Sequence, residues 1–279
     1  MADPDRRVSL PEGERQYHID LGPGELAEHI LLPGDPERAD RIAGMLDAVE
    51  LRRQHREFHS VTGTFRGRRM SVVAWGIGTD NVEIVLAEIL AITRRPTFIR
   101  IGSCGVLQPG IGLGELVITT GAVRLEATTK YFVHEAFPAV ADYAAVAALA
   151  EAAAALGHRA HLGITATAPG FYGAQGRPIP QLPIRFPDLA AEMARQGVLN
   201  FEMEASALLV LAGLAGSRAG GVGAAYAHPT TARYLDAPGR AAAEEACVRT
   251  GLEALLLLAG MDERTAAAGA PYWHPGIAR

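Results

Sequence analysis

Short apolar runs alternate with segments of helical periodicity along the whole chain, and this alternation constrains the fold more than any other feature. The apolar runs end at Gly, Pro or polar residues, which is typical of buried strands, while the segments between them repeat apolar residues three or four positions apart. No internal repeat or low-complexity linker divides the 279 residues. The sequence therefore predicts an α/β fold, a single domain with a three-layer α/β/α sandwich around a twisted mixed β-sheet.

Helix starts are marked by capping residues. Residues 30–32 predict a buried strand, after which Asp35 is expected to cap a helix with Pro36 at its first position. Asp80 is expected to cap a second helix, with Glu83 three residues on. Asp142 is expected to cap an Ala-rich helix, so several element boundaries can be assigned from the sequence.

Composition divides the chain into three parts. Residues 1–17 form a polar N-terminal segment, residues 18–260 the folded domain, and residues 261–279 a C-terminal tail rich in Ala, Gly and Pro. Two interpretations of the tail stay open. It either docks on the domain through Tyr272 and Trp273 or stays mobile.

Charge and cysteine content exclude several classes of protein. The net charge of −5 comes from interspersed acids and bases, which argues against nucleic-acid binding. Two cysteines form neither a disulfide framework nor a metal cluster, which fits a reducing cytoplasm. The first residues lack the apolar core of a signal peptide, and the apolar stretch 252–259 is too short to span a bilayer. We expect a cytoplasmic protein without a membrane partner.

An arginine interrupts the apolar run at residues 98–105. Burying the charge of Arg100 is costly unless an anion pairs with it. Glycines flank Ser103 and let the backbone approach a ligand, so an oxyanion such as phosphate fits here. An internal carboxylate would satisfy Arg100 equally well, and the stretch alone does not decide between the two.

Three further groups carry possible ligand chemistry. Gly34 and Arg38 lie where a helix follows a strand, a geometry that binds anions, although an ordinary connection with a surface Arg explains them too. A glycine-rich loop carries Phe171, Gln175 and Arg177. They offer a stacking face, an amide and a cation for a planar heterocycle, or else form a surface turn.

Two carboxylates open a long apolar helix near residue 205. Glu204 is placed to grip vicinal hydroxyls, while the alternative is simple capping of the helix by acids.

The motifs together resemble the nucleoside phosphorylase family, and within it the members that act on uridine. The matching stretches lie in the family's order between about residue 18 and residue 260: residues 32–38, 55–58, 76–78, 100–105, 137–142, 171–177 and 202–204.

The resemblance implies a role for each matching residue. Phosphate would be bound by Gly34, Arg38, Arg100 and Ser103, with Arg56 from a neighbouring subunit. The ribose would be held by Met203 and Glu204, with His18 from the neighbour. The base would contact Phe171, Gln175 and Arg177. Catalysis would rest on Arg100, Arg177 and Glu204.

The implied reaction is the attack of phosphate on C1′ of uridine, giving uracil and ribose 1-phosphate in nucleoside salvage or catabolism. Phosphate is the co-substrate of this pentosyltransferase, and no cofactor is expected. Dimers would assemble into a homohexamer with shared sites. Purine-specific members place an Asp after the late strand, whereas residues 227–231 read Ala-His-Pro-Thr-Thr, which favours a pyrimidine.

Some positions depart from the family. Ser103 stands where Thr is common, and His228–Pro229 replaces an expected Asn-Arg pair beside the base. No metal is expected, since Asn81 replaces the Ser that, with Glu57 and Ile77, holds a monovalent cation in some members.

Several alternatives to uridine phosphorolysis stay open. The first two are a phosphorylase of a purine or a modified uridine and a nucleosidase of the same fold. The other two are a serine or cysteine hydrolase and a nucleoside-binding protein without catalysis.

Overall fold

The predicted α/β class is confirmed. The computed structural model of the protein describes residues 15–231 and 233–278, so most of the predicted N-terminal segment lies outside the described residues. The strands are β1 (His29–Pro33), β2 (Ala48–His55), β3 (Phe58–Phe65), β4 (Arg68–Ala74), β5 (Thr97–Val106), β6 (Leu116–Arg124), β7 (Ala139–Val140), β8 (Ala160–Thr167), β9 (Asn200–Glu202), β10 (Arg218–His228) and β11 (Arg233–Tyr234). The helices are α1 (Pro36–Ala43), α2 (Thr79–Ile92), α3 (Tyr143–Ala155), α4 (Leu189–Arg195), α5 (Ala205–Leu214) and α6 (Ala237–Ala267).

One mixed sheet runs through the domain in the order β11-β10-β6-β8-β9-β5-β1-β4-β3-β2, with β7 beside β6. Strand β5 is central, because it pairs in parallel with both β1 and β10. It also pairs with β9, so that β5, β10, β6, β8 and β9 close into a ring. The sequence does not predict this closure, since periodicity reports local structure and not which distant strands pair.

Both faces of the sheet are buried, which produces the predicted three layers. Leu31 and Ile99 pack in a core formed with α1, α3 and α6. Their chain neighbours Ile30 and Phe98 point the other way and pack with α2 and α5. Burying each such side chain contributes about 1.5–3 kcal/mol, so the two cores hold β1 and β5 rigidly at the centre of the fold.

Two of the three predicted helix caps are confirmed. The carboxylate of Asp35 accepts from the Glu37 N–H at 3.0 Å, and that of Asp142 from the Ala145 N–H at 3.0 Å. The Asp80 cap is wrong. Gly78, at φ +94°, lets the helix begin at Thr79, and Asp80 instead accepts from the Thr128 hydroxyl at 2.8 Å.

The C-terminal tail docks on the domain. Helix α6 continues to Ala267, beyond the expected limit of the folded domain. Trp273 then packs against the core of α3 and α6, and the Tyr143 hydroxyl donates to its backbone carbonyl. Tyr272 is exposed. Among the described residues, no helix has the length and apolar character needed to cross a membrane.

Candidate active site

The carboxyl ends of β1 and β5 bring four of the predicted phosphate-binding residues together: Gly34, Arg38, Arg100 and Ser103. In the parallel pairing, Leu32 lies opposite Arg100 and Pro33 opposite Ile101. Gly34 therefore follows β1 at the level where β5 reaches Gly102. The Gly34 carbonyl accepts from the Gly76 N–H at 2.9 Å, and a Cβ on Gly34 would lie 2.9 Å from the Gly76 carbonyl. Only glycine fits this close approach between two backbones.

Arg100 is buried and pairs with carboxylates. Its Nη2 contacts Glu204 Oε2 and lies 3.0 Å from Glu202 Oε2. A Cβ on Gly102 would collide with the guanidinium, so glycine is required where Arg100 folds back along β5. Burial opposes the charge, but Glu202 and Glu204 outweigh it and raise the pKa of Arg100. The internal carboxylates that the sequence left as an alternative are present.

The two carboxylates have different tasks. Glu202 accepts at 2.8 Å from the N–H groups of both Glu204 and Ala205, and at 2.6 Å from the Thr167 hydroxyl. It therefore caps α5, while Glu204 remains available to Arg100 and to the Gly78 N–H, 2.8 Å away. Burial and the neighbouring Glu204 raise the pKa of Glu202, even though Arg100 opposes the shift.

Arg38 is buried, so the interpretation as a surface Arg is wrong. Its Nη2 pairs with Glu244 Oε2 on α6 at 2.8 Å, and Glu244 Oε1 holds Arg41 at 2.7 Å. Burial would raise the pKa of Glu244, but the two arginines outweigh it and lower that pKa. Burial, together with Glu244, raises the pKa of Tyr226, whose hydroxyl donates to Glu244 at 3.4 Å, to about 12.

Ser103 and Cys104 do not form a hydrolase nucleophile. Ser103 is exposed at the end of β5, and Cys104 is buried. Burial raises the pKa of Cys104 to about 12, so the thiol stays protonated at neutral pH. The described residues include the His–carboxylate ion pairs His18–Glu88, His161–Glu115 and His59–Asp40, and Ser103 takes part in none of them.

The three predicted base-binding residues lie together in the loop between β8 and α4. The Arg177 guanidinium carbon lies 4.1 Å from the centre of the Phe171 ring, and Nη2 is 3.4 Å from Gln175 Oε1. A Cβ on Gly105 would lie 3.6 Å from Arg177 Nη2, so this group adjoins the end of β5. The loop thus continues the row of candidate residues that begins at Arg38.

His18 and Arg56 belong to a different group within one chain. The His18 N–H and Nδ1 bind Glu88 on α2 at 3.0 and 2.6 Å, and its carbonyl lies 2.9 Å from His55 Nδ1. Arg56, at φ +53° in the β2–β3 turn, donates to the Tyr17 hydroxyl at 3.1 Å. Neither residue reaches Arg100 or Glu204 in the same chain.

Glu57, Ile77 and Asn81, which stand at the position of a monovalent cation in some family members, lie around Gly76. A Cβ on Gly76 would lie 2.7 Å from Asn81 Nδ2 and 3.8 Å from Glu57 Cγ, while Ile77 is exposed.

His228, at the end of β10, lines a separate cavity of about 600 Å³ together with Leu107.

The sequence indicates no role for three residues that hold the candidate site in place. Glu244 contacts Arg38, Thr167 contacts Glu202, and Tyr234 contacts Arg177. Met203 was predicted and is half-buried between Glu202 and Glu204. The pattern of a buried arginine predicts that a carboxylate exists, but no local signal says which one. Glu244 lies 206 positions from Arg38, and Tyr234 lies 57 positions from Arg177.

Comparison with known proteins identifies the family of this site. The sequence model of the phosphorylase superfamily matches residues 28–255. The chain belongs to the phosphorylase superfamily. The predicted resemblance is confirmed, and with it the enzyme class, a pentosyltransferase.

The similarity to individual relatives extends over nearly the whole length of each relative. A uridine phosphorylase of Thermococcus kodakarensis is 44% identical over 97% of this chain and 96% of its own. A uridine phosphorylase of Escherichia coli is 33% identical over 85% of this chain and 96% of its own. A purine nucleoside phosphorylase of the DeoD type from Roseobacter denitrificans is 33% identical over 85% of this chain and 97% of its own. The superfamily match therefore extends to members with different base preferences.

Proposed function

We propose that this phosphorylase cleaves uridine with inorganic phosphate to give uracil and ribose 1-phosphate. Two observations favour uridine. The relative at 44% identity is a uridine phosphorylase, and residues 227–231 carry no Asp to protonate a purine.

The observation that carries phosphorolysis is a row of three arginines. Arg38, Arg100 and Arg177 lie along the carboxyl ends of the central strands, and each has a buried Nε without a hydrogen-bond partner in the described residues. A buried donor left unpaired costs about 1–3 kcal/mol. A buried unpaired donor needs an explanation, and a bound anion would supply a partner for these three arginines.

At one end of the row, Arg38 and Arg100 orient the phosphate, together with the Gly34 backbone and Ser103. The nucleophile is an anion, so it needs a fixed position against C1′ more than it needs activation. Glu202, Glu204 and Glu244 hold these guanidinium groups in place before phosphate arrives. Bound phosphate would share donors that are already aligned.

In the middle, Glu204 and Met203 hold the ribose. As the bond to the base breaks, positive charge develops on the ribose ring. The Glu204 carboxylate, buried beside Arg100, accepts hydrogen bonds from the ribose hydroxyls and lies where that charge appears.

At the other end, Gln175 and Arg177 bind the uracil carbonyls and ring nitrogen beside Phe171. The leaving base gathers negative charge, and one well-placed donor to such charge contributes about 3 kcal/mol. No general acid is required, because the uracil anion is a fair leaving group.

In this proposal the enzyme assembles from dimers into a homohexamer, in which His18 completes a neighbour's ribose site and Arg56 its phosphate site. Both lie beside Tyr17, at the β2–β3 edge of the fold and apart from their own chain's Arg100. We place the reaction in cytoplasmic pyrimidine salvage, with no cofactor and no required metal.

The test measures base release from uridine, thymidine, deoxyuridine, inosine and adenosine, each with and without phosphate. We expect uracil from uridine only when phosphate is present, with ribose 1-phosphate as the second product. Equal cleavage without phosphate would identify a nucleosidase instead. Faster cleavage of inosine than of uridine would overturn the assignment of the base.

A further inference from the structure

Arg177 is held without a carboxylate. Its Nη1 donates to the Tyr234 hydroxyl at 3.2 Å, its Nη2 to Gln175 Oε1 at 3.4 Å, and its guanidinium lies on the Phe171 ring. No ion pair to Arg177 occurs among residues 15–231 and 233–278. Its full charge therefore remains for a substrate anion, but its position depends on these neutral contacts.

Tyr234 is the contact that comes from outside the loop. Phe171 and Gln175 move with Arg177, because all three belong to the segment between β8 and α4. Tyr234 lies on β11 and pairs with Ala227 of β10. The hydrogen bond that Arg177 donates to the Tyr234 hydroxyl thus links the loop to the central sheet.

The strand that carries Tyr234 is anchored on both sides. The Leu235 N–H donates to the Tyr226 carbonyl at 2.9 Å, and Asp236 caps α6 by accepting from the Gly239 N–H at 2.9 Å. The backbone at Tyr234 is therefore fixed between a central strand and the longest helix. An anchor of this kind can set the position of a side chain on a neighbouring loop.

We infer that Tyr234 is a positioning residue for catalysis, whose hydroxyl holds Arg177 against the leaving base. This rests on the proposed function and extends it to a residue on β11. In this chain the expected Asn-Arg pair beside the base is replaced by His228–Pro229. Because Pro229 stands where an arginine is expected, Arg177 is the cation proposed to stabilise the leaving base. Tyr234 is the group that holds Arg177 in position.

The inference predicts where the effect of Tyr234→Phe appears. The phenyl ring remains and only the hydroxyl is lost, so folding and phosphate binding should not change. Stabilisation of the uracil anion develops mainly in the transition state, so the loss falls on kcat more than on KM. For a hydrogen bond to a charged group that is half exposed, we expect kcat with uridine to fall about tenfold.

A double-mutant cycle decides whether Tyr234 acts through Arg177. The variants are Tyr234→Phe, Arg177→Ala and the pair together, with Tyr272→Phe as control, because Tyr272 is exposed to a similar extent, 61% against 58% for Tyr234. In the Arg177→Ala background, Tyr234→Phe should change kcat less than about twofold. Retention of the full tenfold loss in that background would overturn the inference, as would an unchanged kcat in Tyr234→Phe alone.

The leaving group supplies an independent readout. The fluorine of 5-fluorouridine stabilises the departing anion, so less is required of Arg177, and the loss in Tyr234→Phe should shrink with this substrate. An equal loss with both substrates would indicate a structural role and overturn the inference. Wild-type cleavage of uridine without phosphate would instead contradict the proposed function, so the two failures are distinguishable.

Discussion

The two ends of the proposed site hold their arginines by different means. At the phosphate end, Arg38 and Arg100 are buried; Arg38 pairs with Glu244, and Arg100 pairs with Glu202 and Glu204, all from distant parts of the chain. At the base end, Arg177 contacts a hydroxyl, an amide and an aromatic ring, and belongs to a loop whose Phe171 is exposed.

The difference follows from what each end must bind. Phosphate is already an anion when it binds. Its arginines can therefore be partly neutralised by carboxylates and still attract it, and the same carboxylates hold them in rigid positions. The base becomes anionic only as its bond breaks, so an unneutralised cation is of greater use there. The phosphate end is therefore part of the core, whereas the base end rests against it.

The largest expected contrast is between Arg100→Ala and Arg177→Ala. The first leaves Glu202 and Glu204 buried without their cation, so the free energy of unfolding should fall by about 3–5 kcal/mol. The second should change it by less than about 1 kcal/mol, because no buried charge loses its partner. Urea unfolding followed by tryptophan fluorescence measures both.

Activity should separate from stability in the same pair. Arg100→Ala should lower kcat/KM by about 10³ and Arg177→Ala by about 10². Arg100→Lys keeps a charge beside the carboxylates and should recover stability, but its single ammonium cannot replace the guanidinium, so activity stays low. Exposed Arg94→Ala is the control. Equal destabilisation at Arg100 and Arg177 would abolish the distinction between the two ends.

Glu244→Gln tests whether pre-positioning of the phosphate arginines has a function. Glu244 joins Arg38 to Arg41, so its loss should raise the KM for phosphate about tenfold and lower the free energy of unfolding by about 2 kcal/mol at pH 7. Glu245→Gln is the matched control, since Glu245 is exposed on α6 and pairs only with Arg249 among the described residues. An unchanged KM would leave Glu244 with a purely structural role.

The pH dependence of this effect has a defined sign. The arginines lower the pKa of Glu244 in the folded state below the ordinary value of 4.5. Its contribution to stability is therefore present above pH 4.5 and is lost as the pH falls through the folded pKa. The difference in unfolding free energy between wild type and Glu244→Gln, measured by urea unfolding at several pH values, should therefore shrink as the pH falls below 4.5.

The sequence predicts the fold class because strand and helix periodicity are local properties. The cap at Asp35 and the buried strand before it followed from chain neighbours and are confirmed. The cap at Asp80 failed because the helix start is set by Gly78, whose N–H meets Glu204 far along the chain. The ring closed by β9 is likewise a pairing between distant segments.

The sequence names the proposed ligand-binding residues but not the side chains that hold them. The motifs around Arg100 and Arg177 carry the family resemblance, so those residues could be named in advance. Glu244 on α6 and Tyr234 on β11 contact Arg38 and Arg177 from distant positions in the chain, and no motif in the sequence marks either of them. Only the folded chain shows which arginine each of them contacts.

The smallest expected effect separates the rigid part of the phosphate end from its exposed rim. Ser103 is exposed, and its hydroxyl makes no contact with Arg100 or Glu204 in the described residues, so Ser103→Ala should not change the free energy of unfolding. Loss of one hydrogen bond to phosphate, about 1 kcal/mol, should raise the KM for phosphate about fivefold with little change in kcat. Ser103→Thr keeps the hydroxyl and should behave as wild type. A large loss in kcat would mean that Ser103 acts at the transition state. Catalysis at the phosphate end would then depend on an exposed hydroxyl as well as on the arginines that the carboxylates hold.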